Sequence, residues 1–240
     1  MRLRPTFAQG LIILLGGCAF AFFSCLGALA GGMTGNYNPT PLFVLGAVGF
    51  VAGGLAAVLG GVLLLLTIFG QRVFPLGEGS AAGIGVLYGA RGVGAGLGPI
   101  LLRWIIGQDP SRLRRAIAGA FFMVGFFYIA LAGAPALWIA AACVLLAHFG
   151  GAILWVFSTV LLQLEVPDRF RGRVFAAELA LVTLLSSASS YWTGRQLDRA
   201  GWSPRTLAFA LGAMFCVPGV LWLIIQSRWK EEKENLELRT

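Results

Sequence analysis

The chain of 240 residues is 58% hydrophobic and only 12% charged, with a mean hydropathy of +0.84. A soluble domain cannot bury that much apolar surface, so the composition excludes a water-soluble fold and points to a polytopic membrane protein. The net charge of +8 does not indicate a nucleic-acid partner, because most arginines fall in short clusters between apolar runs, where membrane topology accounts for them.

Apolar runs of about 18 residues or more mark candidate transmembrane helices. Seven occur, at roughly 10–31, 42–69, 82–106, 116–133, 136–162, 174–194 and 206–226. The connections are short and no soluble domain is inserted. The expected architecture is an all-α polytopic transmembrane bundle of about seven spans, with the lipid bilayer as its first partner. It divides into an extra span and linker over 1–41, a six-helix unit over 42–228 and a charged tail over 229–240. The first run follows Arg2 and Arg4 and contains Ala28-Leu29-Ala30, a signal-like cleavage sequence. Its apolar stretch exceeds the roughly 7–15 residues of a typical signal-peptide core, which favours a span and leaves a signal peptide as the alternative.

Residues 85–99, GVLYGARGVGAGLGP, are the most informative stretch. Gly85/Gly89, Gly92/Gly96 and Gly94/Gly98 form three overlapping small-xxx-small pairs, a spacing that lets a neighbouring helix backbone approach closely in lipid. Arg91 stands among them, and a charge at that depth normally faces a partner or a watery cavity. Arg91 is therefore a candidate for a substrate or ion pathway, with a structural ion pair as the alternative.

Further along, His148 is the single histidine, and Trp155 and Thr159 fall on the same helical face. The face could bind substrate or carry a proton, or His148 could be hydrogen-bonded structure. In VPDRFRGRVFAAE (166–178), Pro167 and Asp168 signal a helix start. Arg169, Arg171 and Arg173 form a basic turn, and Glu178 lies within reach of it. The alternatives are a topology-setting loop or a gate whose ion pairs form and break. Glu178, Ser186, Ser189 and Thr193 make one polar stripe, read either as cavity lining or as helix packing. Trp104, Trp192, Trp202, Trp222 and Trp229 mostly sit near span ends, as interfacial anchors do.

Four cysteines (Cys18, Cys25, Cys143, Cys216) lie inside apolar runs without metal-ligand or disulfide spacing, as packing residues would. No span contains a lysine, which excludes a retinal Schiff base. The lone histidine, with no Gly-x-Ser-x-Gly elbow, leaves hydrolase or metalloenzyme chemistry without its parts. No enzyme, cofactor or metal is expected. Placing the C-terminus inside puts eleven basic residues on the inner side and six on the outer, the arrangement the positive-inside rule favours. The Arg2/Arg4 end then falls outside, which suits a chain whose first helices belong to a larger protein.

The succession LYGARGVGAGLGP, a basic loop, a helical hairpin, LLQLEVPDRFRGRVFAAE and TGRQLDRAGWSPR resembles the C-terminal half of a major facilitator superfamily transporter. It is most similar to the drug-efflux branch that includes macrolide-efflux-like permeases. The resemblance covers roughly 42–228. It implies that 42–69 to 206–226 correspond to helices seven to twelve, that the C-terminus is cytoplasmic, and that the protein sits in the cell membrane. The implied function is proton-coupled export of small amphipathic molecules. The implied partners are a small-molecule substrate and either an N-terminal half or a second copy of the chain. The alternative is a truncated or orphan half-transporter with no activity of its own.

Overall fold

The computed structural model describes residues 60–237, apart from Gln108 and Pro167. The expected span at 10–31, the linker to residue 41 and the first part of the run 42–69 lie outside the described residues. Six helices follow: α1 (Gly60–Val73), α2 (Ala81–Ile106), α3 (Pro110–Ala132), α4 (Leu137–Glu165), α5 (Asp168–Asp198) and α6 (Pro204–Glu237). No strand occurs among the described residues. Five of the helices are long and apolar enough to cross a membrane, and α1 is a shorter apolar helix.

Local chemistry sets the starts. Asp109 caps α3 with Pro110 behind it. Its carboxylate accepts the Ser111 N–H at 3.0 Å and the Ser111 hydroxyl at 2.9 Å, satisfying an otherwise orphan helix-end donor. Ser203 does the same for α6 before Pro204, its hydroxyl accepting the Thr206 N–H at 3.1 Å. Pro99 does not end α2, which continues to Ile106. α5 begins at Asp168, as the Pro167-Asp168 helix-start signal implies, so the basic stretch expected as a loop before residue 174 is the opening of α5. The charged tail is helical to Glu237.

The helices pair in an ordered way. α1 lies along α5: the Gly61 N–H donates to Ser189 Oγ at 3.1 Å, and a Cβ on Gly60 would run into the Ser186 carbonyl. α2 lies along α4, with Gly94 against the Leu145 carbonyl and Gly98 against that of Phe149. In both pairs the residue numbers advance together, so the paired helices are parallel. α3 and α6 are antiparallel and cross closely. A Cβ on Gly212 would come within 2.7 Å of the Gly125 carbonyl, and one on Gly125 within 2.8 Å of the Gly212 carbonyl. The ends of this last pair are tied by Trp222 Nε1 donating to the Arg114 carbonyl at 3.0 Å and Arg205 donating to the Ala132 carbonyl at 2.8 Å.

These pairings are unchanged when α1–α3 exchange roles with α4–α6. The α1–α5 pair maps onto α4–α2, and α3–α6 maps onto itself. Consecutive helices run in opposite directions, so helices three apart are inverted. The order of these three pairings is the one an inverted three-plus-three repeat has. The sequence carries its trace in α3 and α6, where Pro110, Leu113, Phe121 and Gly125 recur as Pro204, Leu207, Phe215 and Gly219 at identical spacing. Both leucines and both phenylalanines are buried.

Two outcomes test this packing. Gly212→Val is expected to cost about 1–3 kcal/mol, as overpacking against a backbone does. Gly96→Ala, with open space around it, should stay within about 1 kcal/mol of the parent. Thermal unfolding in detergent separates the two. The Ser111 N–H and hydroxyl hold the Asp109 carboxyl below the usual carboxylate range. The cap is therefore complete above the ordinary carboxylate pKa and is lost as pH falls through the lowered folded value. Faster hydrogen exchange at the Ser111 amide in that acid window, corrected for intrinsic exchange, would register the loss.

Candidate functional site

The polar residues inside the apolar layer fall into two groups. The first joins α1, α2, α3 and α4. Tyr88 on α2 donates its hydroxyl to the Leu63 carbonyl at 2.9 Å and stands 3.1 Å from Thr67 Oγ1. Thr67 also reaches the Leu63 carbonyl at 3.3 Å. One turn along α2, the Arg91 guanidinium carbon lies 6.0 Å from the Tyr88 ring centroid, within range of a cation–π attraction. Tyr128 of α3 and His148 of α4 form a second polar pair in this layer. Those two are hydrogen-bonded, Tyr128 Oη to His148 Nε2, at 3.0 Å. The Tyr128 ring stacks on Phe215 with centroids 6.2 Å apart.

Tyr128 and His148 are almost wholly buried, and each satisfies the other. Arg91 is different. It is half-buried, and its Nε is shielded from solvent without a hydrogen-bond partner. A cation left at this depth costs about 2.5–3.5 kcal/mol on insertion scales, and its one described stabilising contact is the face of Tyr88.

The second group lies along α5. Ser189 is buried and spent on Gly61. Ser186 presents its backbone to Gly60, and Thr193 packs against Gly61. This part of the expected stripe is a seam between α1 and α5. Glu178 continues it and is 4% exposed, with Oε1 unpartnered. Among the described residues it makes no ion pair with Arg171 or Arg173. Instead Arg171 bridges to Asp168 at 2.6 Å and donates to the Gln163 carbonyl at 3.3 Å. Arg173 is exposed, and the Arg169 side chain lies outside the described set.

The other expected positions scatter. Trp155 is 36% exposed on the stripe that buries His148, and the Thr159 hydroxyl is spent on the Trp155 carbonyl at 2.8 Å. Of the six glycines of residues 85–98, Gly94 and Gly98 meet α4. Gly85, Gly89, Gly92 and Gly96 have open space where a Cβ would stand, and among the described residues they pack against nothing. Thr67 and Tyr128 were not singled out in the sequence, and Tyr88 was marked only as a neighbour of Arg91. The one sign available was that Tyr88 precedes Arg91 by three residues, which places both on one helix face. Among the described residues no group of three His, Cys, Asp or Glu side chains could hold a metal ion.

Compared with protein-family models, curated proteins and solved structures, the chain matches none. What the fold and site define is therefore a class: a helical, multi-pass membrane protein with one isolated base and one isolated acid in its apolar layer.

Tyr128→Phe is expected to destabilise the bundle by about 1–3 kcal/mol, because it strands a buried His148 nitrogen. Adding His148→Phe should recover part of that loss, since the second polar end is then removed as well. A double-mutant cycle on thermal midpoints reads the coupling.

Proposed function

We propose that this chain is the transporting unit, or one half of it, of a secondary membrane carrier of the major facilitator type. It exports small amphipathic molecules in exchange for protons, from a cell membrane in which its C-terminus is cytoplasmic. One observation carries the reading: the inverted three-plus-three pairing of helices. Inverted repeats of this kind recur in secondary carriers, where the two repeat units frame a binding site near the bilayer midplane. Arg91 and Glu178 strengthen it, because ionisable side chains in a membrane interior commonly mark substrate or proton paths.

The two charged residues have separate tasks in this reading. Glu178 is the group that takes up and releases the proton. A carboxyl buried without a partner can exist neutral in one arrangement of the bundle and ionise when water reaches it in another. Arg91 faces the cargo. The acid-arginine turn at Asp168 and Arg171 sits at the end where α4 passes into α5, and there it serves as a gate.

The test is flux in proteoliposomes carrying the purified full chain, with a panel of cationic and anionic fluorescent amphiphiles. An imposed proton gradient is expected to drive accumulation of at least one dye. Glu178→Gln should abolish the gradient dependence while leaving dye-for-dye exchange intact. Absence of gradient-driven flux for every dye, alone or with a second copy fused in tandem, would overturn the carrier reading.

A further inference from the structure

Among the described residues Arg91 has no counter-ion. Of the ten acidic residues, four lie in the tail beyond residue 230 and five stand at helix ends, namely Glu78, Asp109, Glu165, Asp168 and Asp198. Glu178 is the remaining one. It sits on α5, whereas Arg91 lies on α2 against the Tyr88 ring, and the structure shows no ion pair between them. Residues 1–59 contain neither Asp nor Glu.

Neutral acceptors among the described residues do not take the Arg91 donors either. The Tyr88 hydroxyl is committed to Leu63 and Thr67, and the Tyr128 hydroxyl is committed to His148. Among the described residues no carbonyl accepts a hydrogen bond from the guanidinium, whose Nε is buried and unpartnered. The side chain is held by the Tyr88 face beneath it, which leaves its planar fork of donors unused. Such a fork matches a carboxylate, sulfonate or phosphate in two-point contact.

We infer that Arg91 is the anchor of an anion site, and that its ligand is an organic anion: one carboxylate, sulfonate or phosphate group on an apolar body. The anionic group takes the guanidinium donors and supplies the missing counter-charge, while the apolar body lies among the aromatic and aliphatic side chains of the bundle. Arg91 is ten residues beyond Ala81, the first residue of α2, about 15 Å along the axis. That is deeper than the headgroup layer of a bilayer whose apolar core is about 30 Å thick, so the ligand is a diffusible molecule rather than a lipid head. The inference narrows the carrier's cargo and rests on that reading only in calling the ligand a substrate. Binding is read without any gradient, so its failure and the failure of transport are separate results.

The probe is 2-naphthoate, compared with its neutral isostere 2-naphthamide, on the purified full chain in phosphatidylcholine–detergent micelles. The readout is ligand-dependent thermal stabilisation. Naphthoate is expected to stabilise the parent saturably, and naphthamide to bind at least tenfold more weakly. Arg91→Met should lose at least tenfold in naphthoate affinity while its ligand-free midpoint equals or exceeds the parent's, since an unpaired charge has been removed. Arg91→Lys, which keeps the charge but not the fork, should fall between. If Arg91→Met does not fold, Arg91→Gln replaces it. Equal binding of naphthoate and naphthamide, or undiminished naphthoate binding without the arginine, would overturn the site. Replacing phosphatidylcholine with phosphatidylglycerol is expected to leave the affinity unchanged. Competition by phosphatidylglycerol that disappears in Arg91→Met would uphold the anion site and overturn the diffusible ligand in favour of a lipid head.

Discussion

Close approach of backbones at glycine is the constraint on which the rest of this bundle depends. In lipid, burying a leucine against another helix gains little over leaving it in the acyl chains, so association depends on contact distance and polar complementarity. Each of four helix pairings has a glycine facing a carbonyl of its partner: Gly60 at Ser186, Gly94 and Gly98 at Leu145 and Phe149, Gly125 with Gly212 reciprocally, and Gly150 at Ala120. Any side chain there forces the helices apart. These few positions therefore determine which helices pair, and the pairing is what gives the bundle its inverted symmetry.

That symmetry gives the two charges a common frame. Arg91 lies ten residues after the first residue of α2, and Glu178 lies ten residues after the first residue of α5. The helices α2 and α5 exchange under the repeat and run in opposite directions, so the base and the acid stand toward opposite ends of the bundle. Around them the neutral polar groups have largely been consumed internally, by the Tyr88–Thr67–Leu63 and Tyr128–His148 bonds and by Ser189 with Gly61. Among the described residues, the charged groups left unsatisfied in the apolar layer are Arg91 and Glu178, beside the neutral Thr193 hydroxyl.

Much of the helical plan was legible from hydropathy alone. The spans expected from residue 82 onward correspond to α2–α6, and their ends differ where charge and helix part company. The arginines of 169–173 read as a loop because they are charged, yet α5 extends past the apolar layer and carries them in its first turns. Spacing offered three glycine pairs, but spacing does not say which helix face is covered. Gly94 and Gly98 share a stripe with the buried Gly83 and Leu87, and the other glycines point elsewhere. The serines of α5 were equally ambiguous, since a hydroxyl that lines water and one that seals a helix seam look the same in sequence. The repeat was hidden because it survives in few positions, and the Pro-Leu-Phe-Gly echo of α3 and α6 acquires meaning only once those helices are seen to pair with each other.

The pairing also limits what can move. α1 is fastened to α5, α2 to α4, and α3 to both α6 and α4, where Gly150 packs against Val124 and the Ala120 carbonyl. Each of these ties runs from the first triplet of helices to the second. Sliding one triplet past the other would pull glycine backbones out of registered contacts along several seams at once, and packed interfaces of this kind yield as units rather than by small increments. On the carrier reading, the six helices therefore rock as a single body, and the surface they rock against lies outside their own core. The side of α2 turned away from α4 fits that role, since Val93 and Ile100 are exposed there and Gly85, Gly89, Gly92 and Gly96 have open space, while Arg91 stays on the inner side between α4 and the Tyr88 contact with α1.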